Sequence, residues 1–566
     1  MEIWRIGPGD IGGKGGGVKY FYDKFLTEEG KREWNEKFNP HILRIPDSSV
    51  LRTGLFKEFV EKRHLLDVID IDDDEEVKRR FLEAEITGSL RDRLKAFLEK
   101  KTYPLAVRSS ALNEDAQSHP FAGLFKTILL PNNHPDFKVR FRQLEQAVKI
   151  VYASTYMTNP KQYMATHGLS IENELMAVLI QEVVGFRHGR WFYPHLAGVA
   201  QSLNYFPVGY LKPQDGIVLL VMGLGKGAVD GNCVMRFSPS YPNIRPQMQQ
   251  AKDALQSCQK EIYVLDMGKN DVEINDEMDT LAVIPLQEVA DDEVIPFFAS
   301  TYSISEGVFY PGLRKGGISI LTFDSVANSE IFPFSEMIKW LLKRNENLWK
   351  VPIDLEFAVN LEFSPRGAKA IFYMLQVRPL VVQRYGSEVK IPDEMDTSKL
   401  MIRATVAMGN GVIDNTKYVV YIPMVKLEPA RSRSIAQKIA NISQKLREEG
   451  KGFILVVPGR LGSTNPYLGI PVAFSNIDGA RAIVEVSGGD LRVEPSQGTH
   501  FFSNIVSGRI MYLFVDNENK SSFFNKEWFD QQLNAGGDED VKLIETKEPL
   551  RIAVDGKTMK GIIYMD

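Results

Sequence analysis

The sequence predicts a mixed α/β protein made of more than one domain. Three observations carry this. The chain has 566 residues, more than one hydrophobic core covers, so two to four domains are expected. Helical periodicity and strand-like apolar runs alternate without an obvious repeat up to about residue 380. The polar stretch QRYGSEVKIPDEMDTSK (383–399) then breaks the pattern and reads as a linker to a smaller α/β domain over 400–566.

Composition narrows the class. Hydrophobic residues make up 44% and charged residues 25%, as in ordinary soluble globular proteins. A net charge of −5 speaks against a nucleic-acid partner, which needs basic surface. The two cysteines, Cys233 and Cys258, lie in no Cys-x-x-Cys or Cys/His cluster. A structural zinc site or disulfide framework is not expected, and a reducing cytoplasm fits. MEIWRIGPGD lacks the pattern of a secretory signal. The longest apolar run, GIVLLVMGLG, is too short to span a bilayer.

The elements follow in order. GPGDIGGKGGGVKYFYD sets Lys14 in a glycine-rich stretch. Glycine lets backbone N–H groups approach an anion and lysine adds charge. The Walker A spacing is missing, and a flexible N-terminal loop is the other reading. In DIDDDEEVKRR (70–80) the carboxylates suit the positive end of a helix better than a metal. PLAVRSSALNED places Arg108 at the end of a short strand. Its planar fork could meet phosphate oxygens, or it could pair with Glu114 or Asp115. FRQLEQAVKIVYASTYM (141–157) and PFSEMIKWLLKRNENLW (333–349) have helical spacing. LMAVLIQEVV (175–184) reads as a buried strand ending in Gln181 and Glu182, with backbone beyond that could meet an adenine edge. VMGLGKGAVDG (221–231) is a glycine-rich bend with Lys226.

PIDLEFAVN and AIFYMLQVRPLVV also read as strands. Asp354 and Glu356 are two apart, as are Gln376 and Arg378, so each pair projects onto one face. Paired as neighbours, the strands would join a carboxylate and an amide oxygen beside an arginine. Such oxygens hold Mg²⁺ between nucleotide phosphates; a structural ion pair is the alternative. Beyond the linker, Ile435, Ile439, Ile442 and Leu446 mark a helix face, with Gly450 at its C-terminal cap. FILVVPG and ARAIVEVSGG read as strands, PGRLGSTNPYLGIP with Arg460 as a loop, and LRIAVDGKTMKGIIYMD as two short strands around a turn.

Seven segments in order, GGKG, RIPDSSVLRTGLFKEFV, VRSSALNED…PFAG, MAVLIQEVV, GLGKGAVDG, DLEFAV and LQVRPL, span residues 7–382. Together they resemble the nucleotide-binding domain of the pyruvate phosphate dikinase and phosphoenolpyruvate synthase family, an ATP-grasp fold. The resemblance implies a first lobe over 1–200, a second over 201–382, and ATP with Mg²⁺ between them. It implies that Lys14 and Arg108 hold ATP phosphates, that Glu356 and Gln376 hold the metal, and that Arg378 touches phosphate. Gln181, Glu182 and Val183 would line the adenine pocket.

Family members usually continue into a swivelling phosphohistidine domain with a Thr-Ser-His-Ala-Ala motif. That motif is absent here, yet ARAIVEVSGGDLRVEPSQGTHFFSNIVSGRIMYLFVD is similar in layout. By position His500 would be the phosphocarrier, at a helix N-terminus that favours a phosphoryl group; a surface or capping histidine is the other reading. The family's phosphoenolpyruvate- or pyruvate-binding barrel has no counterpart in these residues, so a separate domain or chain would supply the acceptor site, or the acceptor is not pyruvate. The expected function is ATP-dependent phosphotransfer of the dikinase type through Lys14, Arg108 and His500. The alternatives are a catalytically silent ATP-binding module and a phosphotransferase acting on another small hydroxylated molecule. The expected location is the cytoplasm, without membrane or nucleic-acid partners.

Overall fold

The helical spacing at 141–157 becomes the helix Phe137–Ala153, which buries Phe141, Leu144, Ala147, Val148 and Val151 along one side. The acidic run at 70–80 likewise opens a helix, Asp74–Glu83, whose cap Asp73 accepts from the N–H groups of Glu75 and Glu76. A computed structural model describes residues 4–114, 123–166, 168–230, 233–248, 250–289, 292–364, 367–380, 389–392, 395–424, 428–489, 491–497 and 499–565. The chain falls into two units. One comprises Met1–Asn204, Gln214–Val229 and Cys233–Leu380; the other comprises Tyr205–Pro213, Asp230–Asn232 and Val381–Asp566. Among the described residues no helix is long and apolar enough to cross a membrane, and both cysteines are free thiols.

The first unit holds two large sheets. The five-stranded one runs Trp4–Ile6, Ser48–Leu51, Met176–Glu182, Leu105–Ala111, Thr127–Leu130. The six-stranded one runs Met235–Phe237, Ile217–Val221, Leu196–Gln201, Ile353–Ser364, Gly367–Pro379, Ile42–Arg44. Helix Phe334–Trp349 covers the second sheet, packing Phe334, Met337, Ile338 and Leu341 into one core with Leu355, Phe357 and Phe372. The long hairpin of this sheet sets Asp354 opposite Arg378 and Glu356 opposite Gln376, with a bulge just after Glu356.

Two local expectations need correction. The glycine-rich stretch is no loop: Gly12–Tyr20 is a helix. Glycine disfavours helix by about 1 kcal/mol per residue, and close approach to backbone overrides this. A Cβ on Gly12, at φ +68°, would lie 1.6 Å from the carbonyl oxygen of Ser110, and one on Gly17 would lie 2.9 Å from that of Val377. The helix is therefore pressed onto the Arg108 strand and the Gln376 strand. Gly12→Ala should destabilise the protein by about 3 kcal/mol or more, read as a fall in thermal denaturation midpoint; an unchanged midpoint would refute this packing account. Second, the Arg108 strand does not end at Arg108 but continues to Ala111.

The second unit carries a nine-stranded sheet whose centre is parallel: Gly411–Tyr421, Phe453–Pro458, Ala480–Ser487 and Met511–Asp516. Helix Ser432–Glu448 buries Ile435, Ile439 and Leu446. It closes at Gly450 (φ +67°), where the Lys451 N–H donates to Leu446 O at 2.8 Å. His500–Ser507 is the helix between the parallel strands Ala480–Ser487 and Met511–Asp516. The closing pair is Lys542–Asp555 and Lys560–Met565, the former longer than the short strand expected.

Tyr205–Pro213, which the sequence reading puts in the second lobe, groups with this second unit. Phe206 stacks on Tyr512 (5.6 Å between centroids) and meets Phe502 edge-on (5.6 Å). The Phe206 N–H donates to Gln497 Oε1 at 3.2 Å. Of the linker expected at 383–399, residues 389–392 and 395–399 are described and the rest lies outside the described residues. Val389 and Ile391 pack against Leu400, Ala553 and Ile562.

Candidate functional site

Two neighbouring strands of each large sheet bring four polar side chains of the first unit together. Arg108 Nη2 donates to Glu356 Oε2 at 2.9 Å and to Gln376 Oε1 at 2.8 Å, and Nη1 donates to Gln181 Oε1 at 3.4 Å. Arg108 and Gln181 are diagonal neighbours on adjacent strands, with Leu179 opposite Arg108. The Arg108 and Glu356 side chains are only 13% and 15% exposed. The pairing is thus largely out of water, where a charge without its partner would be costly.

One rung away, Asp354 Oδ2 accepts from Arg378 Nη2 at 3.1 Å and from Gln201 Nε2 at 3.1 Å. Burial pushes the Asp354 pKa up, against the opposing pull of the Arg378 charge. The alternation read from sequence thus produces two adjacent polar rungs, Asp354–Arg378 and Glu356–Gln376.

Arg108 pairs with Glu356 rather than with Glu114; Asp115 lies outside the described residues. Glu114 instead belongs to Lys14. The Lys14 Nζ donates to Ser109 Oγ at 3.0 Å and contacts the Glu114 carboxylate, which also accepts from Ser109 Oγ at 3.0 Å and the Ala111 N–H at 3.1 Å. Ser109 alternates with Arg108 along the strand, so Lys14 forms a second cluster on the other side of it. The Gly15 N–H donates to Ser110 Oγ at 2.9 Å. Lys226, at the head of a short helix, reaches Glu277 Oε2 at 2.8 Å.

Beyond Gln181, the N–H of Glu182 is committed to Asp47 O and that of Val183 to Pro104 O, each at 2.9 Å. Any adenine contact there must use carbonyls and side chains. Burial pushes the Glu182 carboxyl up. Val183 packs with Ala106, Leu224, Leu265 and Met267, an apolar cluster suited to the face of a planar ring.

Whether Mg²⁺ suits this donor set can be tested on the geometry. Two hard oxygens, Glu356 Oε2 and Gln376 Oε1, lie within hydrogen-bonding distance of a single cationic nitrogen. They converge on one point that favours positive charge, as a hard divalent cation requires. The residues fit.

In the second unit, Thr499 caps the His500 helix: its Oγ1 accepts from the Phe502 N–H at 3.1 Å. His500 is the first helical residue and half-buried; Gly498 lies outside the described residues.

One cluster escaped the sequence reading, because nothing in its spacing links the members. His188, His195 and Asp292 offer ligand atoms within 4.8 Å of one another. Asp292 Oδ2 accepts from the Tyr193 hydroxyl at 2.8 Å and lies 3.3 Å from His188 Nδ1. The Leu361 N–H donates to His195 Nδ1 at 2.9 Å. That leaves the ring proton on Nε2, the nitrogen facing Asp292 Oδ1 at 3.9 Å, with no lone pair there for a metal. The trio is a structural network.

Burial pushes the His195 pKa down to about 4 and lowers that of His188, against the pull of Asp292. An unfolded histidine titrates near ~6.5. The unfolded chain therefore binds the proton first as pH falls, and stability drops by up to roughly 3 kcal/mol between about pH 6.5 and 4. Denaturant melts at stepped pH should show this slope in the wild type and a shallower one in His195→Gln; equal slopes would refute the assignment.

Comparison with known proteins agrees with the geometry. Residues 10–399 match the family described as pyruvate phosphate dikinase, AMP/ATP-binding domain. Over 203 residues the chain is 26% identical to a Bacillus subtilis (strain 168) protein described as "Uncharacterized phosphotransferase YvkC". That match covers 35% of this chain and 21% of the relative, so only about a fifth of the relative's length is spanned. With an ATP-grasp-type domain matched over most of its length, the chain belongs to the pyruvate phosphate dikinase AMP/ATP-binding family.

Proposed function

We propose that this protein binds Mg²⁺-ATP in its first unit and passes a phosphoryl group through His500 to a small-molecule acceptor. The observation that carries the reading is the convergence of Glu356 Oε2 and Gln376 Oε1 on one cationic nitrogen of Arg108. Family membership and a relative named as a phosphotransferase support it.

In this reading Glu356 and Gln376 hold the metal, and bound Mg²⁺ offsets the charge of the phosphate oxygens. Arg108 turns its fork from Glu356 to phosphate and Arg378 adds positive charge nearby, while Lys14 joins them only by leaving Glu114 on the other side of the strand. The Val183 cluster takes the adenine face, with Gln181 and Glu182 at its edge. A ring nitrogen of His500 forms a bond to phosphorus while the bridging P–O bond to the departing nucleotide breaks. The phosphoryl group then leaves nitrogen for an oxygen of the acceptor, for which pyruvate is the first candidate by family.

The departure from Thr-Ser-His-Ala-Ala around His500 favours a second reading, an ATP-binding module without transfer. Product analysis separates the two. Incubation with Mg²⁺ and ATP, with and without pyruvate, should yield AMP or ADP; calorimetric binding of ATP with neither product would leave only the binding module.

A further inference from the structure

Glu485 is fully buried within the parallel sheet of the second unit, in register with Val457 on one side and Phe514 on the other. An acid in the middle of a sheet needs donors, and this one has them on both oxygens. Oε1 accepts from the Leu461 N–H at 2.8 Å and from Ser496 Oγ at 2.6 Å; Oε2 accepts from the Tyr512 hydroxyl at 2.6 Å. The same Tyr512 oxygen accepts from the Ser496 N–H at 3.2 Å. Ser496 is thus held at two points.

From Ser496 the bonding continues to His500. The Thr499 hydroxyl donates to Ser496 O at 2.9 Å, and its oxygen accepts from Phe502 N–H, fixing the first turn of the His500 helix. The other donor, Leu461, lies just past the preceding parallel strand, in a segment expected to be a plain loop; there Arg460–Leu461 instead forms a two-residue strand paired with Gly469–Ile470 at the base of the loop. This loop is packed against the same turn: a Cβ on Gly462 would lie 2.3 Å from the Phe501 ring. Both loops leave the carboxyl ends of adjacent parallel strands, where α/β sheets bind ligands.

We infer that Glu485 is a positioning residue for phosphotransfer: its carboxylate ties Leu461 to Ser496, and through Ser496 to Thr499, and so fixes where the imidazole of His500 stands. The inference rests on His500 being the phosphocarrier. The carboxylate makes no bond to phosphorus; it acts through Ser496 and Thr499.

The test compares wild type with Glu485→Gln and Ser496→Ala in the full chain. Three readouts are ATP affinity by calorimetry, the rate at which label from ATP becomes acid-labile and alkali-stable on protein, and the NMR titration of the His500 ring. A displacement on the order of 1 Å can cost about 10²-fold in rate. Glu485→Gln should therefore slow labelling roughly 10- to 100-fold, leave ATP affinity unchanged and displace the His500 titration. Ser496→Ala cuts only the link to the turn, and should do the same in a smaller degree even if Glu485→Gln fails to fold. Labelling at the wild-type rate in folded variants would overturn the inference and leave the phosphotransfer reading standing. Should the wild type itself take up no label, the phosphotransfer reading fails. The inference then falls with it, whereas a labelled wild type beside equally fast variants sinks the inference alone.

Discussion

Glu356→Gln should reduce Mg²⁺-dependent ATP turnover by about 10²-fold or more and move the Mg²⁺ titration to higher concentration. Two consequences of the geometry act in the same direction. The amide keeps the shape but not the charge, so the point shared with Gln376 Oε1 loses its anionic donor. Arg108, 13% exposed, also loses its ion-pair partner, and a largely buried guanidinium left with neutral partners costs about 1–3 kcal/mol of stability. Binding of ATP without Mg²⁺ should change less than binding with it, because the cation is what the carboxylate holds. Steady-state rates across a Mg²⁺ series check this. A variant whose Mg²⁺ midpoint and turnover match the wild type would show that Glu356 is only a structural ion-pair partner.

His500→Ala should abolish acid-labile label from ATP while leaving ATP affinity at the first unit unchanged. The expected loss exceeds roughly 10³-fold, because no other group substitutes for a nucleophile that forms the covalent intermediate. Stability should change little, since the helix is anchored by the Thr499 cap and by buried Phe502, Ile505 and Val506 rather than by its first residue. The measurement is phosphate retained on protein after alkali against that retained after acid. Persistence of the label in this variant would remove His500 from the mechanism and return the Gly-Thr-His segment to a capping role.

The two polar rungs were legible in the sequence because strand geometry is strictly periodic. Asp354 and Glu356, and Gln376 and Arg378, sit at i, i+2, and alternation alone puts each pair on one face. Pairing as a hairpin then leaves few registers, and the observed one sets Glu356 against Gln376. Gly450 was readable for a similarly local reason, since its cap depends on backbone conformation just past the helix. The Gly12–Tyr20 helix was not readable. Its glycines oppose helix formation locally, and what overrides them is backbone of Ser110 and Val377, about 100 and 360 residues away along the chain. The alternative ion pair of Arg108 with Glu114 is not formed, for the same reason. Glu114 is adjacent in sequence, yet Glu356 is adjacent in space, and only strand pairing reveals the second. The His188, His195 and Asp292 network is the extreme case, with no spacing rule joining its members.

The excursion of the chain at Tyr205–Pro213 bears on any attempt to dissect this protein. A piece cut at the polar stretch near 389 would carry Phe502 and Tyr512 without the Phe206 ring that covers them, and Gln497 without its donor. Such a fragment should be sticky and less resistant to proteolysis than the same residues in the intact polypeptide, and a short peptide spanning 205–213 supplied in trans should rescue it. The polypeptide also passes between its two units at 204/205, 213/214, 229/230, 232/233 and 380/381. A single cut therefore does not part the polypeptide into these two units.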